Sequence, residues 1–175
     1  MLKLTYERGF FMLTKILSKE QCAQCKICCI FNDSDIWEQP IISEDLKDYI
    51  SENLKLTHKY TAINNSYVFN LDKSDDNLYH CTMLNNCFGC TLKDDKPFDC
   101  KIWPFRVMNF QNNLVITLSP ICPAISSLPI NQIIDFLNTD SFVDCVFAEA
   151  HKNPDIVKPY IDGYPIFIIE KQKAE

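Results

Sequence analysis

The sequence predicts a small single domain of the α+β class, with cysteine-rich metal-binding loops, a central β-hairpin and C-terminal helices. Three observations predict it. Ten cysteines stand in 175 residues, and four of them form the run Cys22-x-x-Cys25-x-x-Cys28-Cys29. Residues 105–110 and 114–118 are bulky and β-branched, and the polar Gln111-Asn112-Asn113 between them reads as a hairpin turn. Across residues 130–150, Ile133, Ile134, Leu137, Phe142, Val146 and Phe147 recur at helical spacing.

The remaining elements follow in chain order. Residues 1–21 are expected to be an N-terminal extension or a short helix, because Leu13, Ile16 and Leu17 share one helical face. The metal-binding domain then spans residues 22–175. Ser43 suits a helix N-cap, and the acidic Glu44 and Asp45 suit the positive end of the helix dipole. Leu46, Tyr49, Ile50 and Leu54 continue that helix as an apolar stripe to about residue 55. Tyr67-Val68-Phe69 reads as a strand core. Residues 72–77 read as a polar loop, and residues 80–84 as a short strand ending at the turn signal Asn85-Asn86. Asn138-Thr139-Asp140 is expected to interrupt the C-terminal helical stretch, with Thr139 or Asp140 capping a second helix. Residues 164–169 read as a final strand or extended segment.

Bulk composition narrows the function. Apolar residues make up 47% and charged residues 23%, so an ordinary core is within reach without cross-links. Disulfide scaffolds that lack such a core are usually shorter than about 80 residues, and the vicinal Cys28-Cys29 pair is awkward for a disulfide framework. The Phe10-Phe11-Met12-Leu13 run falls short of the roughly 7–15 apolar residues of a signal core. Nothing approaches the roughly 20 apolar residues of a membrane span. The expectation is a reducing cytoplasm, where clustered thiols bind metal. Net charge is −6 and no Lys/Arg run exists, so neither nucleic acid nor membrane is expected as a partner, whereas another protein is. Only three glycines occur, and no phosphate loop or dinucleotide fingerprint is present.

The cysteines carry the chemistry. Thiolates are soft ligands suited to zinc, copper(I) and iron–sulfur clusters. Two-residue spacers bring successive sulfurs towards one centre. Beyond the first run the thiols fall at Cys81, Cys87, Cys90, Cys100, Cys122 and Cys145. Nine residues lie between Cys90 and Cys100, with Pro97 three positions before the second and Trp103-Pro104-Phe105 after it.

This order resembles the CxxCxxCC (YkgJ-type) cysteine-cluster family, described as zinc- or iron-chelating proteins. Flagellin lysine N-methylases carry a similar cluster. The resemblance covers residues 22–123. It implies Cys22, Cys25, Cys28, Cys29, Cys81, Cys90, Cys100 and Cys122 as metal ligands and leaves Cys87 and Cys145 outside the pattern. Three positions depart from the family. Lys26 stands where glycine is usual, and Lys96 and Lys101 stand where arginine is favoured; lysine keeps the charge but loses the planar fork.

Eight thiols divide into two sets of four, each able to complete a tetrahedral zinc site or a cubane. The vicinal pair suggests that Cys28 and Cys29 serve different metals, or different irons of one cluster. A first site is then expected from Cys22, Cys25 and Cys28 with one distant thiol, and a second from Cys29 with the remaining matched thiols. Cys122-Pro123 echoes the Cys-Pro ending of bacterial ferredoxin runs. The expected cofactor is one or two iron–sulfur clusters of the 4Fe-4S type, with zinc as the alternative.

Lesser candidates have plainer readings beside them. Trp103, Pro104 and Phe105 suit either water exclusion around a cluster or an ordinary core. Lys101 suits an offset to negative charge. His80 is a substitute ligand or a common surface histidine. Cys87 pairs with Cys90 at ligand spacing or is a spare thiol. Cys145 reads as a small buried hydrophobe.

Three functions fit. One is a metal-binding protein serving electron transfer, metal handling or structure. Another, implied by the resemblance, is an S-adenosylmethionine-dependent protein lysine N-methylase or an accessory part of one. Against it, the Cys-x3-Cys-x2-Cys spacing of radical enzymes is absent, since Asn32 follows Cys25 and Cys29 where a third cysteine is needed. The third is a zinc-stapled protein-interaction module.

Overall fold

The computed structural model describes residues 13–33, 37–55, 58–138 and 141–171. Helices and sheets are both present, and the class is α+β. The chain forms two compact units: one is Cys22–Lys101, and the other combines Met1–Gln21 with Ile102–Glu175. The sequence leads one to expect a single domain from residue 22 onward; the structure adds a division after Lys101.

Of residues 1–21, expected as an extension or a short helix, residues 1–12 lie outside the described residues; Leu13–Lys15 is a 3₁₀ turn, and α1 follows at Lys19–Cys25. A reciprocal cap starts α1: Ser18 Oγ accepts from the Gln21 N–H at 3.0 Å, and Gln21 Oε1 accepts from the Ser18 N–H at 3.3 Å. Cys22 and Cys25 therefore stand on a helix and not on the loop expected from their spacing. Lys26 ends it in a left-handed conformation, φ 58°.

Within Cys22–Lys101 regular structure is sparse. Strand β1 is Ile30–Phe31, and helix α2 is Glu44–Glu52. Ser43 Oγ accepts from the Leu46 N–H, as the N-cap reading requires. Strands β2 (Tyr60–Ile63) and β3 (Ser66–Phe69) form a hairpin that turns at Asn64, φ 48°. Strands β4 (Asp72–Lys73) and β5 (Tyr79–His80) join β1 in the order β1-β5-β4. Residues 72–77 are thus partly paired and not wholly loop.

The strand expected over 80–84 is broken. β5 ends at His80, and β6 (Leu84–Asn85) begins a second two-stranded sheet with β7 (Gly89–Cys90). Serving two sheets forces a turn between them, closed by the Leu84 N–H donating to the Cys81 carbonyl at 2.9 Å. Helix α3, Phe98–Ile102, ends this part of the chain. The core of the unit gathers Ile42, Ile50, Phe69, Met83 and Leu92 with Cys29 and Cys81.

The second unit is built on a four-stranded sheet. Strands β8 (Phe105–Phe110) and β9 (Asn113–Leu118) form the expected hairpin, turning through Gln111 and Asn112 at φ 51° and 64°. After the short α4 (Pro123–Ser126) come α5 (Ile130–Asn138) and α6 (Phe142–Lys152). Ser141 is the N-cap residue of α6; Thr139 and Asp140, expected as its caps, lie outside the described residues. Strands β10 (Lys158–Pro159) and β11 (Ile166–Ile169) complete the order β10-β8-β9-β11. Phe105 packs its ring on Phe136 and Phe142, with centroids 5.7 and 5.4 Å away, so the C-terminal helices cover the hairpin as expected.

Candidate metal centre

Five of the ten cysteines line one pocket inside Cys22–Lys101: Cys28, Cys29, Cys81, Cys90 and Cys100, with Lys96 beside them. They arrive from four separate segments, and backbone bonds explain the convergence. Lys26 turns the chain, and the Cys29 N–H donates back to its carbonyl at 2.8 Å, which curls Cys28 and Cys29 into a 3₁₀ turn. The Cys81 N–H donates to the Cys29 carbonyl at 2.9 Å and extends the β1–β5 pairing by one residue. The Thr91 N–H donates to the Met83 carbonyl at 2.8 Å, holding β7 and Cys90 against β6. Asp99 in α3 accepts from the Ile41 N–H at 2.9 Å, which anchors the helix that bears Cys100.

The wall between the thiols is apolar, from Phe31, Phe69, Met83 and Leu92 among others. Such a setting disfavours charge. The hydrogen bond with Cys29, then burial, push the Cys28 thiol well above its ordinary value. Cys29 is drawn down by Cys28, but its bond with Cys81, burial and the charges of Cys81 and Cys90 outweigh that and push it up to about 12. Burial raises Cys90 and raises Cys100 strongly. Lys96 pulls the other way on Cys28, Cys90 and Cys100. Without a cation these thiols stay protonated; a soft cation reverses the balance, because it stabilises several thiolates at once.

Among the described residues, no three or more His, Cys, Asp or Glu side chains already close on one point as metal ligands. Cys28 Sγ and Cys29 Sγ are in hydrogen-bond contact at 4.0 Å. The donor set itself suits a soft metal: sulfur only, in a dry wall, with a compensating lysine.

The other expected ligands lie elsewhere. Cys22 and Cys25 are exposed on α1, and Cys122 is buried at the N-cap of α4, in the other unit. Cys87 is exposed on the β6–β7 turn. Cys145, expected inside, is exposed on α6, off the face that buries Phe142, Val146, Phe147 and Ala150. His80 stands 3.8 Å from the Asp76 carboxylate. Phe105 belongs to the aromatic core of the second unit, the plainer of its two readings, and the Trp103 ring lies under the Arg106 guanidinium at 5.1 Å. Sequence reasoning missed the pocket position of Lys96; its signal was the Lys96-Pro97-x-x-Cys100 spacing, which places it about one turn before Cys100.

No helix among the described residues is long and apolar enough to cross a membrane. Neither a known protein family, nor a curated protein, nor a solved structure matches the chain.

Proposed function

We propose that this chain is a metal-binding protein whose Cys22–Lys101 unit holds a soft metal centre through thiolates, and that the metal contributes to folding that unit. One observation carries the reading: five thiols from four segments between residues 28 and 100 line a single pocket. The unit otherwise has strands of two to four residues. A centre that ties four segments together supplies cohesion that such short pairings lack, and its binding free energy becomes folding free energy. The cysteine order, which resembles that of zinc- and iron-chelating proteins, supports the same reading. Clustered thiols of this kind belong in a reducing compartment such as the cytoplasm.

Iron–sulfur and zinc chemistry separate in one experiment. The full chain is purified without oxygen and its iron, zinc and acid-labile sulfide are measured. Iron with sulfide in similar amounts, and a brown colour, identifies a cluster; zinc in a colourless protein identifies a thiolate staple. A chain that folds fully with neither contradicts the proposal.

A further inference from the structure

Cys29 and Cys81 face each other across the β1–β5 ladder. The antiparallel register pairs Ile30 with His80 and Phe31 with Tyr79. One step further, the Cys81 N–H donates to the Cys29 carbonyl at 2.9 Å and sets these two residues opposite one another. Opposite residues of an antiparallel pair lie about 4.5–5.5 Å apart at Cα and turn their side chains to the same face. A disulfide spans Cα separations of about 4.4–6.8 Å. Both side chains line the same pocket, and they are 8% and 9% exposed. Cys81 also bonds through its side chain to Cys29.

Cys28 is the competing partner, with its sulfur 4.0 Å from that of Cys29. Adjacent Cα atoms stand only about 3.8 Å apart across a trans peptide, shorter than the usual disulfide span. The backbone therefore favours Cys81 over Cys28 as the partner of Cys29.

We infer that Cys29 and Cys81 form a cross-strand redox pair, open as two thiols in the reduced chain and closed by a low-molecular-weight disulfide such as glutathione disulfide. The thiolate of one cysteine attacks glutathione disulfide, forms a mixed disulfide and releases one glutathione thiol; the thiolate of the other then displaces the second. The two protein thiols lose two electrons and two protons, which end on the two glutathione thiols. Reduced glutathione in excess reverses the exchange.

The folded pocket shields both sulfurs from the reagent, so closure follows local opening. Strands β1 and β5 are two residues each, and pairings that short open readily. Resting on the metal-binding reading above, closure takes two sulfurs out of the donor set and releases the metal. The disulfide then ties β1 to β5 across the loop of residues 29–81. In a reducing compartment such a pair is a transient sensor of oxidation and not a permanent cross-link.

The full chain, purified without oxygen, is incubated with glutathione disulfide in the absence of denaturant. Free thiols are blocked at low pH, links are placed by fragmentation of the peptides, and metal is counted in the same samples. Cys29 should be recovered linked to Cys81, metal content should fall in proportion to that link, and excess reduced glutathione should reopen it. Cys29 linked to Cys28, or metal lost with Cys29 and Cys81 unlinked, overturns the inference and leaves the metal-binding reading standing. A Cys29–Cys81 link in protein that keeps its metal overturns the release. Reduced protein that holds no metal yet forms the link overturns the metal-binding reading and leaves the redox pair standing.

Discussion

Ala23 and Gly89 meet so closely that a Cβ on Gly89 would stand 3.2 Å from the Ala23 Cα. The contact fits α1 against the turn that leads into Cys90, and Gly89 makes it with φ 83°. Both facts favour glycine. Gly89→Ala should destabilise the loaded protein by about 1–2 kcal/mol through the left-handed backbone alone, with the close approach adding to it. Urea unfolding of the metal-loaded chain measures this; an unchanged midpoint would contradict the left-handed conformation at Gly89.

Lys26 presents the complementary case. It holds φ 58°, a conformation that costs a non-glycine residue, and its ammonium donates to the Asn86 carbonyl. Lys26→Gly removes the strain together with that bond, whereas Lys26→Ala removes only the bond. The glycine variant should therefore be the more stable of the two by about 1 kcal/mol. Equal stabilities would contradict the left-handed assignment.

Ile50 is 0% exposed on α2 and belongs to the same core as Cys29 and Cys81. Truncation to alanine should cost about 2–5 kcal/mol. If that core frames the thiol pocket, metal should also leave the variant at a lower urea concentration than it leaves the unaltered chain. Loss of stability with metal release unaltered would separate the core from the pocket.

Acidity follows from the raised thiols. Without metal, the folded chain keeps protons on Cys28, Cys29, Cys90 and Cys100 that the unfolded chain releases above about pH 8.5. That stability is present at neutral pH and is lost as pH climbs through the raised values, which reach about 12 for Cys29. Bound metal reverses the sign, since the ligands are then thiolates and protons compete for them. Denaturation curves against pH should fall on the alkaline side for chelator-treated protein and on the acidic side for loaded protein. The same alkaline decline in both would mean that metal does not engage these thiols.

The sequence made the hairpin at Phe105–Phe110 and Asn113–Leu118 and the helices around Ile133 and Val146 legible, because each repeats one spacing over six or more residues. It made Ser43 legible as a cap for the same local reason. What it hid depends on contacts distant in the chain. The break between His80 and Leu84 comes from pairing with two different sheets, which no local pattern records. Cys22 and Cys25 looked continuous with Cys28 and Cys29, yet a left-handed turn at Lys26 separates a helix bearing the first pair from the pocket holding the second. Cys145 shows the limit of helical periodicity: it lies beside the buried Val146 and Phe147 in sequence but on the exposed side of α6.

Alkylation of the full chain under non-denaturing conditions, with and without a strong chelator and with each cysteine followed by mass spectrometry, tests the metal centre most directly. Cys28, Cys90 and Cys100 should resist the reagent until chelation removes the metal that ties their unit together, unfolds that unit and so frees its thiols to ionise and react, while Cys87 and Cys145 react throughout. If chelation leaves the reactivity of every pocket thiol unchanged, no metal is held there.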